Sequence, residues 1–330
     1  MPDESRDIIV DLRPYLNLLI LSALLALPGC AGVLDLEGAL AVTPYRIEEN
    51  GRIVIEARVN GEGPFSFALD TGASISAVFE QLNDELELER IPGKVVIVHG
   101  VVSSGKFPIL DVDRLEVGRE VWPNPRIVLL PGATDAGKSV DGVLGIDFLQ
   151  RFAVGFSTTD RVVRLYPPEL VARRSYRGWA SVPLEFERVG ERGAALYFMA
   201  IEIDGHKIPA LFDLGAGLNM INWVGARSLG IEPRDARREE QVSGALEDER
   251  QVAGFVAAEV TTASIRWRNE SFSIADLAIL ETLMLDGSPV VILGAGLFTQ
   301  RDFVIDFARR RLLVNVEMRE ADADEPDTIN

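Results

Sequence analysis

The chain is poor in the side chains that most enzymes use as metal ligands or nucleophiles. It has one cysteine, Cys30, and two histidines, His99 and His206, among 330 residues. A single cysteine excludes an internal disulfide and a cysteine-based metal centre. Two histidines are too few for a multi-histidine centre. We therefore expect neither a metal nor any other cofactor.

Basic residues are also in deficit. The chain has 33 Lys and Arg against 51 Asp and Glu, which gives a formal net charge of −18. Binding to nucleic acid needs clustered Lys and Arg for the phosphates, so this charge argues against a nucleic-acid partner. Hydrophobic residues make up 47% of the chain. A chain of this length and composition buries a large core and exceeds the usual size of a single domain, which favours two lobes.

One apolar run lies near the start of the chain, YLNLLILSALLALPG at residues 15–29. It is shorter than the ~20 residues of a membrane-spanning helix and suits the core of a signal peptide. Residues 27–30, Leu-Pro-Gly-Cys, resemble the lipobox of bacterial lipoproteins. The resemblance implies a signal peptide over residues 1–30, a lipid anchor on Cys30, and a location on the periplasmic side of a bacterial membrane, with the outer membrane favoured. An uncleaved anchor and a buried helix are the alternatives.

The rest of the chain repeats itself. Residues 51–74, GRIVIEARVNGEGPFSFALDTGAS, match residues 195–217, ALYFMAIEIDGHKIPALFDLGAG. Each copy has an alternating apolar strand, an Asn-Gly or Asp-Gly hairpin turn, and a second strand that runs into Asp-x-Gly-Ala. Residues 141–167 and 288–315 form a second matching pair, in which an apolar run ending in Gly precedes a short helix and a hairpin.

These repeats predict the domain organisation. We expect a first lobe over residues 31–168, a connection over 169–183, a second lobe over 184–316 and an acidic disordered tail over 317–330. Each lobe consists mainly of short strands, with brief helices after each Asp-x-Gly-Ala and each Leu-Gly.

The repeated aspartates, Asp70 and Asp213, each end an apolar strand. A buried carboxylate is costly unless it is hydrogen-bonded or shares a proton with a neighbour. If a pseudo-two-fold axis relates the two units, both loops meet at that axis and the carboxyl groups become neighbours. Such a pair can take a proton from water with one carboxylate and protonate a carbonyl oxygen with the other.

FALDTGAS at 67–74, followed by DGVLGIDFL at 141–149, resembles the retropepsin-like aspartic proteases of clan AA. Both halves show the pattern, so the resemblance is to two such units fused in the manner of pepsin. It implies an all-β bilobal fold of two β-barrel lobes with short helices, and an aspartic endopeptidase that acts on an extended protein or peptide substrate. It also implies catalytic Asp70 and Asp213, supported in their loops by Thr71, Gly72, Leu214 and Gly215.

The resemblance further implies a flap hairpin in each lobe. The first flap falls near residues 97–108 and the second at 241–255. The candidate flap residues are His99, Gly100, Ser103, Ser104, Gly105, Ser243 and Gly244.

The second lobe departs from the family pattern at two positions. Leu214 stands where the family has Thr or Ser, whose hydroxyl links the two loops, and Gly217 stands where the first lobe has Ser74. Thr71 can keep half of that link. Three functions stay open: an active endopeptidase that works as a monomer, a peptide-binding pseudoprotease, and an enzyme that pairs Asp70 across a homodimer.

Overall fold

The computed structural model describes residues 38–99, 104–131, 140–173, 176–189, 194–232, 237–242, 250–283 and 285–316. Cys30, with the signal peptide expected over 1–30, and the acidic tail expected over 317–330 lie outside these residues. Within the described part of the chain, no helix is both long and apolar enough to span a bilayer.

Strands dominate both halves of the chain. The first lobe contains β1 Ala41–Ile47, β2 Ile53–Val59, β3 Glu62–Leu69, β4 Ala77–Phe79, β5 Arg90–His99, β6 Ser104–Leu110, β7 Arg114–Val117, β8 Glu120–Pro123, β9 Ile127–Leu130, β10 Gly142–Leu144, β11 Ala153–Ser157 and β12 Val162–Tyr166. The second lobe contains β13 Trp179–Pro183, β14 Glu185–Val189, β15 Ala194–Ile203, β16 His206–Phe212, β17 Met220–Ile221, β18 Arg237–Val242, β19 Arg250–Thr262, β20 Ile265–Ile274, β21 Val291–Leu293, β22 Phe303–Asp306 and β23 Arg311–Asn315.

Helices in the described residues are short. They are α1 Glu80–Leu86, α2 Ile146–Leu149, α3 Pro168–Ala172, α4 Trp223–Ser228 and α5 Ala278–Thr282, with 3-10 turns at Ala295–Leu297 and Phe307–Arg309. The all-β fold with short helices that the sequence predicts is therefore confirmed. The segment 169–183, expected to connect the lobes, includes most of α3 and all of β13.

Both predicted hairpin turns are two-residue loops. Asn60 and Gly61 join β2 to β3 with φ of 53° and 88°, and Asp204 and Gly205 join β15 to β16 with φ of 46° and 84°. Positive φ at both central residues defines a type I′ turn, which Asn-Gly and Asp-Gly favour. Both predicted turns are therefore confirmed, and the strand that follows each turn ends directly before Asp70 or Asp213.

One antiparallel sheet joins the two lobes. Its order is β13-β23-β22-β11-β12-β1, so three strands come from each half of the chain. The seam is the pairing of β11 with β22, where Phe156 lies opposite Phe303. Their rings stack with centroids 4.2 Å apart. Beside the seam, the backbone N–H and the hydroxyl of Thr158 donate to Asp302 Oδ1 at 2.7 and 2.8 Å.

The same arrangement of three strands occurs in each lobe. In the first lobe β10 lies between β3 and β4, parallel to β3 and antiparallel to β4. In the second lobe β21 lies between β16 and β17 with the same directions. The loop after β3 and the loop after β16 must therefore pass around the end of a central strand. In the second lobe an additional β15–β19 pairing closes six strands into a barrel.

Candidate active site

Asp70 and Asp213 lie at equivalent ends of buried strands. Asp70 directly follows β3, and its N–H donates to Leu144 O of the neighbouring β10 at 3.0 Å. Asp213 directly follows β16, and its N–H donates to Leu293 O of β21 at the same distance. The internal repeat therefore places each aspartate by the same backbone contact.

The loops that carry the aspartates, residues 70–74 and 213–217, are called the active loops. The glycines of the two Leu-Gly motifs allow these loops to fold back tightly. A Cβ on Gly145 would lie 2.7 Å from Ala73 O, and a Cβ on Gly294 would lie 2.7 Å from Ala216 O. Only glycine fits at such separations. The helices that follow then anchor the loops, since the next N–H after each glycine donates to the same carbonyl, at 2.8 Å in the first lobe and 2.9 Å in the second.

The two carboxyl groups face each other across the lobes. Gly72 N–H and Ala73 N–H donate to Asp70 Oδ1 at 2.8 and 2.9 Å, and Gly215 N–H donates to Asp213 Oδ1 at 2.8 Å. Each loop glycine also lies against the opposite aspartate. A Cβ on Gly72 would be 2.6 Å from Asp213 Oδ2, and one on Gly215 would be 2.5 Å from both Asp70 carboxyl oxygens. The arrangement has the two-fold character that the repeat predicts.

The two carboxyl groups differ in the surroundings that set their pKa values. Burial raises the pKa of Asp213 well above the ordinary 3.8, and the negative charge of Asp70 raises it further. Burial also raises the pKa of Asp70, but a hydrogen bond from Asp213, the two N–H groups of its own loop and the positive charge of Arg52 all oppose that rise. Two carboxyl groups in contact do not both ionise. The pair is therefore expected to hold one proton between its two members.

Thr71 links the two loops. Its side chain is fully buried. Its hydroxyl donates to Phe212 O at 2.7 Å and accepts from Leu214 N–H at 2.9 Å, both in the second lobe. Leu214, at the equivalent position, is fully buried in the main hydrophobic core. One loop thus supplies the hydroxyl and the other supplies apolar packing.

A second cross-lobe contact is made by Ser74. Its hydroxyl donates to Ala195 O at 3.2 Å and accepts from Ala195 N–H at 3.0 Å. At the equivalent position, Gly217 packs directly on the backbone of Asn50, and Asn50 O leaves no room for a Cβ there. The glycine is a steric requirement of this contact. The difference between Ser74 and Gly217 is visible in the sequence, but no sequence pattern indicates the contacts that explain it.

Both expected flaps correspond to hairpins. In the first, β5 pairs with β6 up to His99 opposite Ser104, with Gly105 opposite Val98. In the second, β18 pairs with β19 up to Val242 opposite Arg250. Gly100, Ser103, Ser243 and Gly244 lie outside the described residues, as do the side chains of His99 and Ser104.

An apolar cluster lies beside each active loop. In the first lobe, Ala73 and Ile75 of the loop and Val96, Val98 and Phe107 of the β5–β6 hairpin are partly buried and pack against it. In the second lobe it includes Ala216 of the loop and is completed by the α5 segment through Leu280 and Leu283. The aspartate pair is thus flanked by apolar surfaces of different construction.

The site offers no ligand set for a metal among the residues described. No three His, Cys, Asp or Glu side chains in that part of the chain are grouped as a metal site requires.

Comparison with known proteins places the chain in a family. The model of the aspartyl protease family matches residues 55–148 and again residues 199–297. The chain therefore belongs to the aspartyl protease family, and it contains two tandem retropepsin-like units. No curated protein matches it.

The solved structures that are similar to the chain include two seed globulins and a bacterial protease. Basic 7S globulin from soybean is 11% identical with a TM-score of 0.49, over 87% of this chain and 97% of that one. Conglutin gamma from lupine seeds is 13% identical with a TM-score of 0.49, over 86% and 96%. A retropepsin-like aspartic protease from Rickettsia conorii is 18% identical with a TM-score of 0.30, over 43% and 96%.

Proposed function

We propose that the chain is an aspartic endopeptidase that hydrolyses peptide bonds in extended protein segments. The observation that carries the proposal is the facing pair of buried carboxyl groups, each held by N–H groups of its own loop and lying against the glycine of the other. We propose that Asp70 is the ionised member and that Asp213 holds the proton, because the hydrogen bond from Asp213 and the charge of Arg52 lower the pKa of Asp70, whereas the charge of Asp70 raises that of Asp213. Membership of the aspartyl protease family supports the same reaction class.

In the proposed mechanism a water molecule is the nucleophile. Asp70 accepts a proton from the water as its oxygen bonds to the scissile carbonyl carbon, and Asp213 donates its proton to the carbonyl oxygen. The tetrahedral intermediate then collapses. The C–N bond breaks, the proton on Asp70 passes to the leaving nitrogen, and a hydroxyl proton of the intermediate returns to Asp213. The products are a carboxylic acid and an amine, and the pair regains its starting state.

The site favours an extended substrate with apolar side chains. A strand-like peptide can pair its backbone with a flap hairpin, which leaves alternate side chains for the flanking pockets. The surfaces beside the aspartates are the two apolar clusters, which contain Ala73 and Ala216. We therefore propose that aliphatic or aromatic side chains on both sides of the scissile bond are preferred.

The geometry favours a site within one chain over a site between two chains. Asp70 forms its carboxyl contact with Asp213 of the same chain, so no second copy is needed to assemble the pair. A peptide-binding module without activity is the second candidate, because Leu214 supplies no hydroxyl to the loop network.

The test is cleavage of a diverse peptide library by the purified full-length chain from pH 3 to 8, beside Asp70→Asn and Asp213→Asn. The endopeptidase proposal expects turnover that either substitution lowers by at least ~1000-fold, because each aspartate has an essential part. Peptide binding without turnover in the folded wild type would establish the binding module. Loss of turnover with Asp70→Asn alone would point to pairing of Asp70 between copies.

We also propose, from the sequence at residues 27–30, that Cys30 is acylated and tethers the enzyme on the periplasmic side of a bacterial membrane. The proposal expects incorporation of labelled palmitate into the chain in a bacterial host. It also expects that Cys30→Ala incorporates no label and is lost from the membrane fraction.

A further inference from the structure

Arg52 lies across from Asp70 in the first lobe. Strands β2 and β3 pair antiparallel, with Val54 opposite Ala68. Extended by two positions beyond the ends of the strands, this register brings Arg52 opposite Asp70, and the positive charge of Arg52 lowers the pKa of Asp70. Residues directly opposite in an antiparallel pair have Cβ atoms ~5 Å apart and share one face. The backbone thus places a guanidinium beside one aspartate of the pair.

The second lobe has no charge at the matching place. Strands β15 and β16 pair with Phe198 opposite Leu211, and the same register brings Leu196 opposite Asp213. Leu196 is buried in the apolar cluster of that lobe. One aspartate therefore faces a cation, and the other faces a hydrocarbon.

The Arg52 side chain is held in place. Its Nη2 is 3.4 Å from Glu48 Oε2, with only 14% of the Arg52 side chain and 7% of the Glu48 side chain exposed. The turn between them is closed by Gly51 N–H, which donates to Glu48 O at 2.8 Å, and by Glu48 N–H, which donates to Arg52 O at 3.0 Å. The same turn packs against the second active loop. Arg52 is thus fixed relative to both aspartates.

We infer that Arg52 is a positioning residue for the aspartate pair: its charge, held beside Asp70 by Glu48, keeps the negative charge of the pair on Asp70 and the proton on Asp213. The inference rests on the proposed endopeptidase function and names the residue that divides its acid and base roles.

The charges around the pair set the direction of each test. A hydrogen bond from Asp213 and the positive charge of Arg52 lower the pKa of Asp70, and the negative charge of Asp70 raises the pKa of Asp213. Glu48 forms an ion pair with Arg52. Glu48 also pairs with Arg46 at 3.4 Å. Removing Arg52 makes Asp70 harder to ionise. Glu48→Gln keeps an oxygen that can hold Arg52 in place but removes the charge that neutralises it, which makes Asp70 easier to ionise.

The experiment is the pH profile of kcat/KM for Arg52→Met, Arg52→Lys and Glu48→Gln in the full-length chain. Arg46→Met is the matched control, because it also removes a partner of Glu48. We expect the acid limb of Arg52→Met to move to higher pH, with kcat/KM on that limb falling ~2- to 10-fold more than on the plateau. Arg52→Lys should restore the wild-type limb. Glu48→Gln should move it to lower pH, and Arg46→Met should leave it closer to wild type than either.

A carboxyl ¹³C NMR titration of the aspartates in the same variants separates this inference from the proposed function. If the wild type cleaves no peptide, the endopeptidase proposal fails, while an upward shift of the Asp70 titration in Arg52→Met still supports the role of Arg52. Folded Arg52→Met with an unmoved acid limb and an unmoved Asp70 titration would overturn the inference. Shifts of Arg52→Met and Glu48→Gln in the same direction would overturn it as well.

Discussion

The two active loops hold the same carboxyl geometry with different side chains. The first loop reaches the second lobe through the hydroxyls of Thr71 and Ser74. At the equivalent positions the second loop has the buried side chain of Leu214 and Gly217, whose backbone packs on the first lobe. The elements present in both are the aspartate, the facing glycine and the backbone bond to the central strand. The comparison teaches that the pair needs those three elements twice, while one set of hydroxyl links is enough to join the loops.

A second difference shows how one backbone group can be satisfied in two ways. In the first lobe Gly145 N–H donates to Ser76 Oγ at 3.0 Å, and that hydroxyl donates to Asp147 Oδ1 at 2.7 Å. In the second lobe Gly294 N–H donates directly to Asn219 Oδ1 at 3.1 Å. Both copies therefore bond the N–H of the motif glycine, and only the side chain that accepts this bond differs.

The largest effect is expected when the second loop is given a side chain at position 217, because only glycine fits the contact there. Gly217→Ala places a Cβ where Asn50 O lies, so the two backbones must shift apart. We expect the free energy of unfolding to fall by more than ~4 kcal/mol. Urea unfolding measures it. Gly287→Ala is the control, because a Cβ there meets nothing within 4 Å. Equal, small losses in both variants would contradict the tight contact.

The next largest effect concerns Leu214. Leu214→Ala removes a fully buried side chain from the core, and we expect a loss of ~3 kcal/mol in urea unfolding. Leu214→Thr makes the second loop resemble the first, and its hydroxyl can bond backbone groups related to those that Thr71 meets. We expect Leu214→Thr to cost less than Leu214→Ala. A larger loss for the threonine would show that those groups are out of reach.

Removal of the Thr71 hydroxyl is expected to cost ~2 kcal/mol. Thr71→Val keeps the shape but leaves the buried Leu214 N–H without its acceptor. Thermal or urea unfolding measures the loss, and peptide cleavage should fall with it because the loops are less firmly joined. Thr71→Ser retains the hydroxyl and should lose less than half as much. If the serine variant is as unstable as the valine variant, the hydroxyl is not the stabilising group.

The smallest effect is expected at Ser74. Ser74→Ala breaks the two bonds with Ala195, but the residue is only half-buried, so water can replace them in part. We expect a loss of ~1 kcal/mol in urea unfolding. Ser228→Ala is the control, since that hydroxyl bonds only within its own helix, to Gly225 O. A Ser74→Ala loss no larger than the control would remove Ser74 from the cross-lobe links.

Sequence patterns predict the local features of this fold and miss the contacts that depend on register. The hairpin turns, the strands into Asp70 and Asp213 and the short helix after Leu-Gly all follow from residue types a few positions apart. The position of Arg52 opposite Asp70 does not, because it depends on a β-bulge between Ala57 and Val59 that shifts the pairing of β2 with β3. Turn and strand propensities do not specify such a bulge.

Long-range pairing is also hidden from local patterns. The segment PPELVARRSYRGWASVP has the prolines, glycine and arginines of a connection, yet its last five residues form β13 at the edge of the shared sheet. Its alternation of buried and exposed residues is only five positions long. The partner, β23, lies more than 120 residues later in the chain, so the edge position becomes visible only in three dimensions.

The enclosure of both aspartates in one chain has an evolutionary consequence. In an assembly of two identical chains every substitution is made twice, so a leucine at 214 would remove both linking hydroxyls and an arginine at 52 would charge both sides. Here each half carries its own copy of the loop, and the two halves share one sheet through the pairing of β11 with β22. Mutation can therefore act on one half at a time. As a result, the two loops can carry different side chains and take different roles.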